Sequence, residues 1–243
     1  LSGELRRLSA IPGKSANIGA MATDIREHGA QVGQSQSTAH IQKAIDSIAS
    51  TGGRVVIPPG AWRTGTIWLR SGVELHVSAG ARLLGTNDPA DYPAFSPVEA
   101  KLVRSRRAGP RRMIGAADCT DVSVTGTGVI DGEGGCGGKI SEPGGAEAHP
   151  QNLQFVKCSN VIVRDVRLRN AGSWMQQYLA CEKLFIHAIR VWNHGNKTND
   201  GLDIDGCSDV RVSDIDIDSH DDALVFKSTG PSPCRNIVVS NCR

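Results

Sequence analysis

Five cysteines set a register along the second half of this chain, and that register leaves few folds open. With Cys119, Cys158, Cys181, Cys207 and Cys234 aligned, the third residue onward is Val122, Val161, Leu184, Val210 or Ile237. The fifth is Val124, Val163, Ile186, Val212 or Val239. Every entry is aliphatic. Alternation resumes after a one-residue corner, with Thr127, Val166, Ile189, Ile215 and Cys242 at the eighth place and Val129, Leu168, Val191 and Ile217 at the tenth. Upstream of the first four cysteines, Ile114, Leu153, Gln176 and Leu202 stand five places back and Ala116, Phe155, Tyr178 and Ile204 three places back, which implies a third strand. Three short strands per unit and a period of about 23–27 residues, stretched only by an insertion at 131–150, describe a chain coiling into stacked parallel sheets. A βαβ fold needs a crossover helix between parallel strands, and the spacing leaves no room for one. The expected fold is therefore all-β, a parallel β-helix in which the cysteines stack as small apolar side chains inside successive coils.

The first half fits that frame. Residues 1–34 read as a mixed N-terminal segment, and residues 35–51 as the one helix, with Ile41, Ala44, Ile45, Ile48 and Ala49 at helical spacing. Thr51-Gly52-Gly53 ends it, and from residue 52 short alternating runs broken by Gly and Pro read as coils through to 243, so the chain is expected to form a single domain. Twenty-eight glycines supply the turns such coils need. The basic run Arg104, Arg106, Arg107, Arg111 and Arg112 reads as a solvated loop. A net charge of +2 is too small to signal a nucleic-acid partner, and no apolar run is long enough for a membrane helix. Seven cysteines without zinc-like spacing support neither a disulfide framework nor a zinc site. The chain begins without a charged-then-apolar leader, so a signal peptide is absent or removed, and it stops within the strand-like run ending at Arg243, which reads as truncation.

Aspartates concentrate where two coils align. Setting Asp200-Gly201-Leu202 over Asp222-Ala223-Leu224 pairs Asp200 with Asp222, Ile204 with Phe226 and Asp205 with Lys227, and places Asp221 beside them. Lateral neighbours in a sheet lie about 4.8 Å apart, so such carboxylates repel and acquire unlike pKa values. Glycosidic hydrolysis needs that split, with one acid neutral and one ionised. Two other readings stand beside it: Asp at the turns of a coil satisfies backbone groups, and an acidic cluster suits calcium. Asp203, Asp205, Asp209, Asp214, Asp216 and Asp218 alternate with inward aliphatics and are expected on the outer surface. Trp174, in the column of Asp200, could stack on a sugar or pack at a corner. Lys227 could attract a uronate or pair with Asp205. His194, Asn196 and Asn199 precede Asp200, and His220 precedes the aspartate pair.

These elements resemble the polygalacturonase family of pectin-degrading glycoside hydrolases, whose fold is a right-handed parallel β-helix. The family's Asn-Thr-Asp element is similar to Thr198-Asn199-Asp200, continued by Gly201-Leu202-Asp203-Ile204-Asp205-Gly206-Cys207, and its Gly-Asp-Asp element to His220-Asp221-Asp222. Both depart slightly, in the swapped Thr-Asn order and in His220. The segments 24–30, 41–46, 52–85 and 168–174 also resemble bacterial members. The resemblance implies that Asp221 is the general acid, that Asp200 and Asp222 hold and deprotonate water, and that hydrolysis of α-1,4-galacturonan inverts the anomeric carbon. Asn199, His220, Lys227, Trp174 and His194 are further candidates for substrate contact, each beside a structural reading as a turn, packing or surface residue, and the expectation is no cofactor and a monomer acting outside the cell or in the periplasm. The family's later histidine and Arg-x-Lys elements would fall on coils beyond Arg243. A calcium-dependent lyase and a non-catalytic carbohydrate-binding β-helix are the competing readings.

Overall fold

The computed structural model describes residues 21–94, 111–134 and 149–243. Its strands form three parallel sheets, each built from one short strand per coil. Sheet A has eight strands and ends with Glu182–His187, Ser208–Ser213 and Arg235–Ser240. Sheet B has six, including Ala81–Gly85, Val129–Asp131, Arg167–Arg169, Arg190–Asn193 and Asp216–Ser219. Sheet C also has six, including Arg112–Ala117, Gln151–Val156, Gln176–Leu179, Leu202–Asp205 and Leu224–Lys227. The expected parallel β-helix is what the structure shows.

The aliphatic columns are its interior. Val122, Val161, Leu184, Val210 and Ile237 are cross-strand partners in sheet A, as are Ile114, Leu153, Gln176 and Leu202 in sheet C, where the first partners the second, the second the third, and Leu202 follows in register. Cys119, Cys158, Cys181 and Cys207 are buried as free thiols at the corner between these sheets. Burial pushes the Cys181 thiol well above its ordinary pKa, the mark of a packing residue rather than a reactive one.

Corners explain the surface aspartates and asparagines. Just before each buried cysteine, Asp118, Lys157, Ala180 and Gly206 all take positive φ, and a second column of Asp121, Asn160, Lys183, Asp209 and Asn236 does the same two residues after it. Asp and Asn tolerate this left-handed conformation better than most residues, so Asp209 and Asp214 are turn formers. In sheet B the expected register is off by one at its earliest entry. Leu168 pairs with Ile130, not Val129, and Ile130 is the buried residue. The corner holds an extra residue there, at Gly126, whose φ is 103° and where a Cβ would collide with the Val77 carbonyl.

The helix is Thr38–Ser47, shorter than the segment expected, and it buries Ile41, Ala44 and Ile45 against the strand Ile67–Trp68 and a 3-10 turn at Ile25–His28. That turn and the strand Ala22–Asp24 lie within the segment read as mixed. Arg112 corrects the solvated-loop reading: it is fully buried, with its guanidinium 4.9 Å from the centre of the Trp68 ring. Arg104, Arg106 and Arg107 lie outside the described residues.

Candidate active site

The turn leading from sheet B to sheet C carries the aspartates, and three asparagines shape it. Asn193 donates to the carbonyls of Ser173 (3.0 Å) and Asp200 (2.8 Å) and accepts from the Ala171 amide (3.0 Å). Asn196 donates to the Gly172 carbonyl (2.7 Å). The Asn199 amide nitrogen lies within hydrogen-bonding distance of the carbonyls of Ala171 and Ser173 and of Asn193 Oδ1, at 3.1, 2.8 and 3.0 Å, and its oxygen accepts from the Asn196 amide. All three side chains are buried. Of the two readings of Asn199, substrate contact or structural turn residue, its contacts are those of a clamp that ties this turn to the one before it.

The clamp fixes Asp200 on its rung. Its carbonyl accepts from Met175 N (2.9 Å), and the next residue's amide, Gly201 N, donates to the Asp222 carbonyl (2.8 Å). Glycine is required at 201, because a Cβ would lie 2.6 Å from the Ala223 carbonyl oxygen. With Leu202 paired to Leu224, Asp200 stands directly over Asp222 on adjacent coils. Asp221 is on the same turn. Its amide reaches the Asn199 carbonyl (3.4 Å), and its Oδ1 accepts from Asp222 N (3.0 Å).

The three carboxylates occupy unlike surroundings. Asp221 and Asp222 are exposed, whereas Asp200 is only 3% exposed. Burial raises the Asp200 pKa, Lys227 opposes that rise, and the nearby Asp221 charge adds to it. The Lys227 ammonium lies 2.8 Å from Asp200 Oδ2, contacts Asp203 Oδ1, and sits 3.3 Å from the centre of the Trp174 ring. Burial works against its charge, but Asp203 and Asp200 outweigh it and the Lys227 pKa rises.

Two expectations change here. Lys227 is opposite Asp205 in register, yet its side chain reaches back to Asp200 and Asp203. Trp174 is nearly buried with Lys227 over one face, so it seats the cation rather than offering an open sugar platform. Asp203 and Asp205, expected on the surface, point away from the interior but are fully buried. Asp205 is held by Gln177 Nε2 (3.0 Å), the Thr229 amide (2.8 Å) and the Thr229 hydroxyl. Asp203 contacts Lys227 and lies beside Asp200, and burial lifts its pKa well above the ordinary carboxylate range. Asp203 is the site residue that alternation missed. The available signal was diagonal: a lysine opposite Asp205 can reach a residue two places away on the neighbouring strand.

The histidines lie outside this pocket of charge. His194 Nε2 is 2.7 Å from Asp218 Oδ1, its ring centre is 4.4 Å from that of Trp192, and His220 lies 6.2 Å further on. Among the described residues, no three His, Cys, Asp or Glu side chains converge as metal ligands.

A solenoid with a paired-coil carboxylate site has a match in known proteins. The sequence profile of Glycosyl hydrolases family 28 covers residues 83–243, which takes in both coils of the site. The chain belongs to glycosyl hydrolase family 28. It is 29% identical over 211 residues to a probable polygalacturonase of Vitis vinifera, covering 81% of this chain and 42% of that protein. It is 24% identical over 252 residues to an exo-poly-alpha-D-galacturonosidase of Dickeya chrysanthemi, covering 84% and 41%. The chain thus spans about two-fifths of the length of these two relatives. The Yersinia enterocolitica family 28 exopolygalacturonase superimposes with a TM-score of 0.79 at 21% identity, over 91% of this chain and 48% of that one, and shows the same fold.

Proposed function

We propose that this chain carries the catalytic aspartates of an inverting glycoside hydrolase acting on α-1,4-linked galacturonan. The observation that supports this most directly is the stacking of Asp200 over Asp222 on adjacent coils, with exposed Asp221 at their side. In this reading Asp221 protonates the glycosidic oxygen as the bond to the leaving sugar breaks. Asp200 and Asp222 hold a water on the opposite face of the ring and remove its proton as it attacks the anomeric carbon. Asp200 suits the base. Its burial raises its pKa and strengthens it as a proton acceptor, while Lys227 opposes that rise. His220 precedes Asp221 in the chain and its ring neighbours that of His194, so both are candidates to meet the substrate, and the names of the curated relatives support a galacturonan substrate. A polymer of this kind is met outside the cytoplasm, so we place the protein in the extracellular or periplasmic space, acting as a monomer.

The test is mass analysis of the products from polygalacturonate, comparing the wild-type chain with Asp221→Asn. Saturated oligomers that vanish in the variant are expected. Unsaturated oligomers would replace hydrolysis with elimination, and turnover unchanged in the variant would overturn the assignment of Asp221.

A further inference from the structure

We propose that the outer face of sheet B is a second binding surface, for an acidic polysaccharide chain, in which Arg167, Arg169 and Arg190 supply the cations and Trp192 the sugar platform. The identity of the polymer as a polyuronate rests on the function proposed above; the surface itself rests on the following observations. Outward positions on successive strands put Arg167 directly opposite Arg190, and Arg169 directly opposite Trp192. All four side chains are exposed, while Leu168 and Val191 between them point inward and are buried. Like charges facing each other across a rung of about 4.8 Å are destabilising, so this face carries an unfavourable charge density that a bound anion would relieve.

The acids nearby relieve it only in part: Arg190 and Asp216 feel each other's charge, but Asp216 is held by another arginine. Asp131, opposite Arg169, accepts from Asn170 (3.0 Å) and the Glu133 amide (3.0 Å) and faces Arg82 at 3.7 Å. Asp216, opposite Arg190, is paired with Arg243 at 2.8 Å, and Asp218, opposite Trp192, with His194 at 2.7 Å. Among the described residues Arg167, Arg169 and Arg190 have no acid within 4 Å. The small charge of the whole chain hides this arrangement because the arginines come from different coils.

The shape favours a single sugar chain. Arg167, Arg169, Arg190 and Trp192 line a shallow groove of about 240 Å³, and a second of about 420 Å³ continues from Arg190 and Trp192 past Asp216 and Asp218. The Trp192 indole is 44% exposed and braced by His194, which leaves a rigid apolar plate of the kind a pyranose face covers. Stacking along a single-stranded nucleic acid would call for several such plates, and this groove has one. Trp192, His194 and His220 are successive ring neighbours, and His220 adjoins Asp221 in the chain, so one polymer could lie across both surfaces.

The experiment is calorimetric binding in an Asp221→Asn background, so that polymer survives the measurement. De-esterified polygalacturonate, its fully methyl-esterified form, galacturonate trimer and a single-stranded oligonucleotide are compared, with and without Arg167→Gln/Arg169→Gln/Arg190→Gln, and separately with Trp192→Ala. Expected are a Kd for polygalacturonate raised at least tenfold by the triple change, a weaker dependence on salt, and unchanged binding of trimer at the aspartates. Thermal melts check each variant, and the three single Arg→Gln changes replace the triple one should it melt early. Unchanged polymer affinity, equal affinity for the methyl-esterified form, or tighter binding of the oligonucleotide would each overturn the proposal. Arginine-dependent binding without any turnover by the wild-type chain would leave this surface standing and remove the hydrolase reading instead.

Discussion

Replacing Lys227 by Met keeps the length and apolar stem of the side chain but removes the cation that contacts two buried carboxylates. Asp203 is fully buried and Asp200 nearly so, and both contact the ammonium. Removing one partner of a buried ion pair costs about 3–5 kcal/mol. Lys227 itself is partly exposed, which argues for the lower end, about 3 kcal/mol, including roughly 0.5–1 kcal/mol for its contact with Trp174. The loss has a pH signature. Folded Asp200 and Asp203 have pKa values raised above 3.8, so they bind protons more readily folded than unfolded, and the stability they withdraw grows as pH rises from about 4 toward their folded values. Lys227 has a folded pKa above 10.5, so its contribution is fully present below that pH and is lost only as pH rises through the folded value. The variant therefore lacks compensation at neutral pH, whereas at pH 4 protonation of the aspartates does much of what the lysine did. For a chain of this size about 1 kcal/mol moves Tm by roughly 2–4 °C. Melting followed by circular dichroism should show a fall of roughly 6–12 °C at pH 7.5 and roughly 2–4 °C at pH 4. Adding Asp203→Asn should recover part of the loss at pH 7.5. Equal falls at both pH values, or no recovery in the double variant, would show that Lys227 contributes packing and not charge.

Asp221→Asn should reduce hydrolysis by about 10²-fold or more while leaving Tm within roughly 1 °C, because the side chain is exposed; steady-state rates and a melt check both parts. Asn199→Ala removes a buried amide whose two N–H groups are shared among three acceptors and should cost about 2–3 kcal/mol, read as a Tm fall of roughly 4–12 °C with activity lost alongside. Thiol labelling of the native chain followed by peptide mapping should mark exposed Cys242 quickly and leave Cys158, Cys181 and Cys207 unmarked until urea unfolds the coils.

The coils were legible because parallel pairing repeats the same inward positions at every turn. Val161, Leu184 and Val210 share a column in the chain for the same reason that they share a column in sheet A. The stacking of Asp200 over Asp222 followed from that column arithmetic. Alternation separates inward from outward side chains, however, and does not separate outward from wet. Asp203 and Asp205 point outward yet are dry, and only the contacts of Gln177, Lys227 and Thr229 reveal it. The choice between the two readings of Asn199 is hidden from the sequence for a related reason: two of its partners are carbonyls of the preceding turn, some 26 residues back, and no local pattern records them.

A solenoid constrains how such a site can be built. Each coil offers one residue per column, so a charge on the outer face of sheet C must find its partner on the rung above or below. Lys227 on one coil accordingly holds Asp200 and Asp203 on the coil before it, and Trp174 on the coil before that forms its seat. The asparagine clamp likewise ties residues 193–200 to the turn at 171–173. Three consecutive coils are therefore needed to set the environment of a single aspartate. That requirement explains how two like side chains one rung apart come to differ: Asp200 is enclosed by earlier coils and has its pKa raised, while Asp222 stands on the exposed turn where a ligand can reach it. The unlike surroundings of these two aspartates therefore arise from the stacking order of the coils rather than from any difference in residue type.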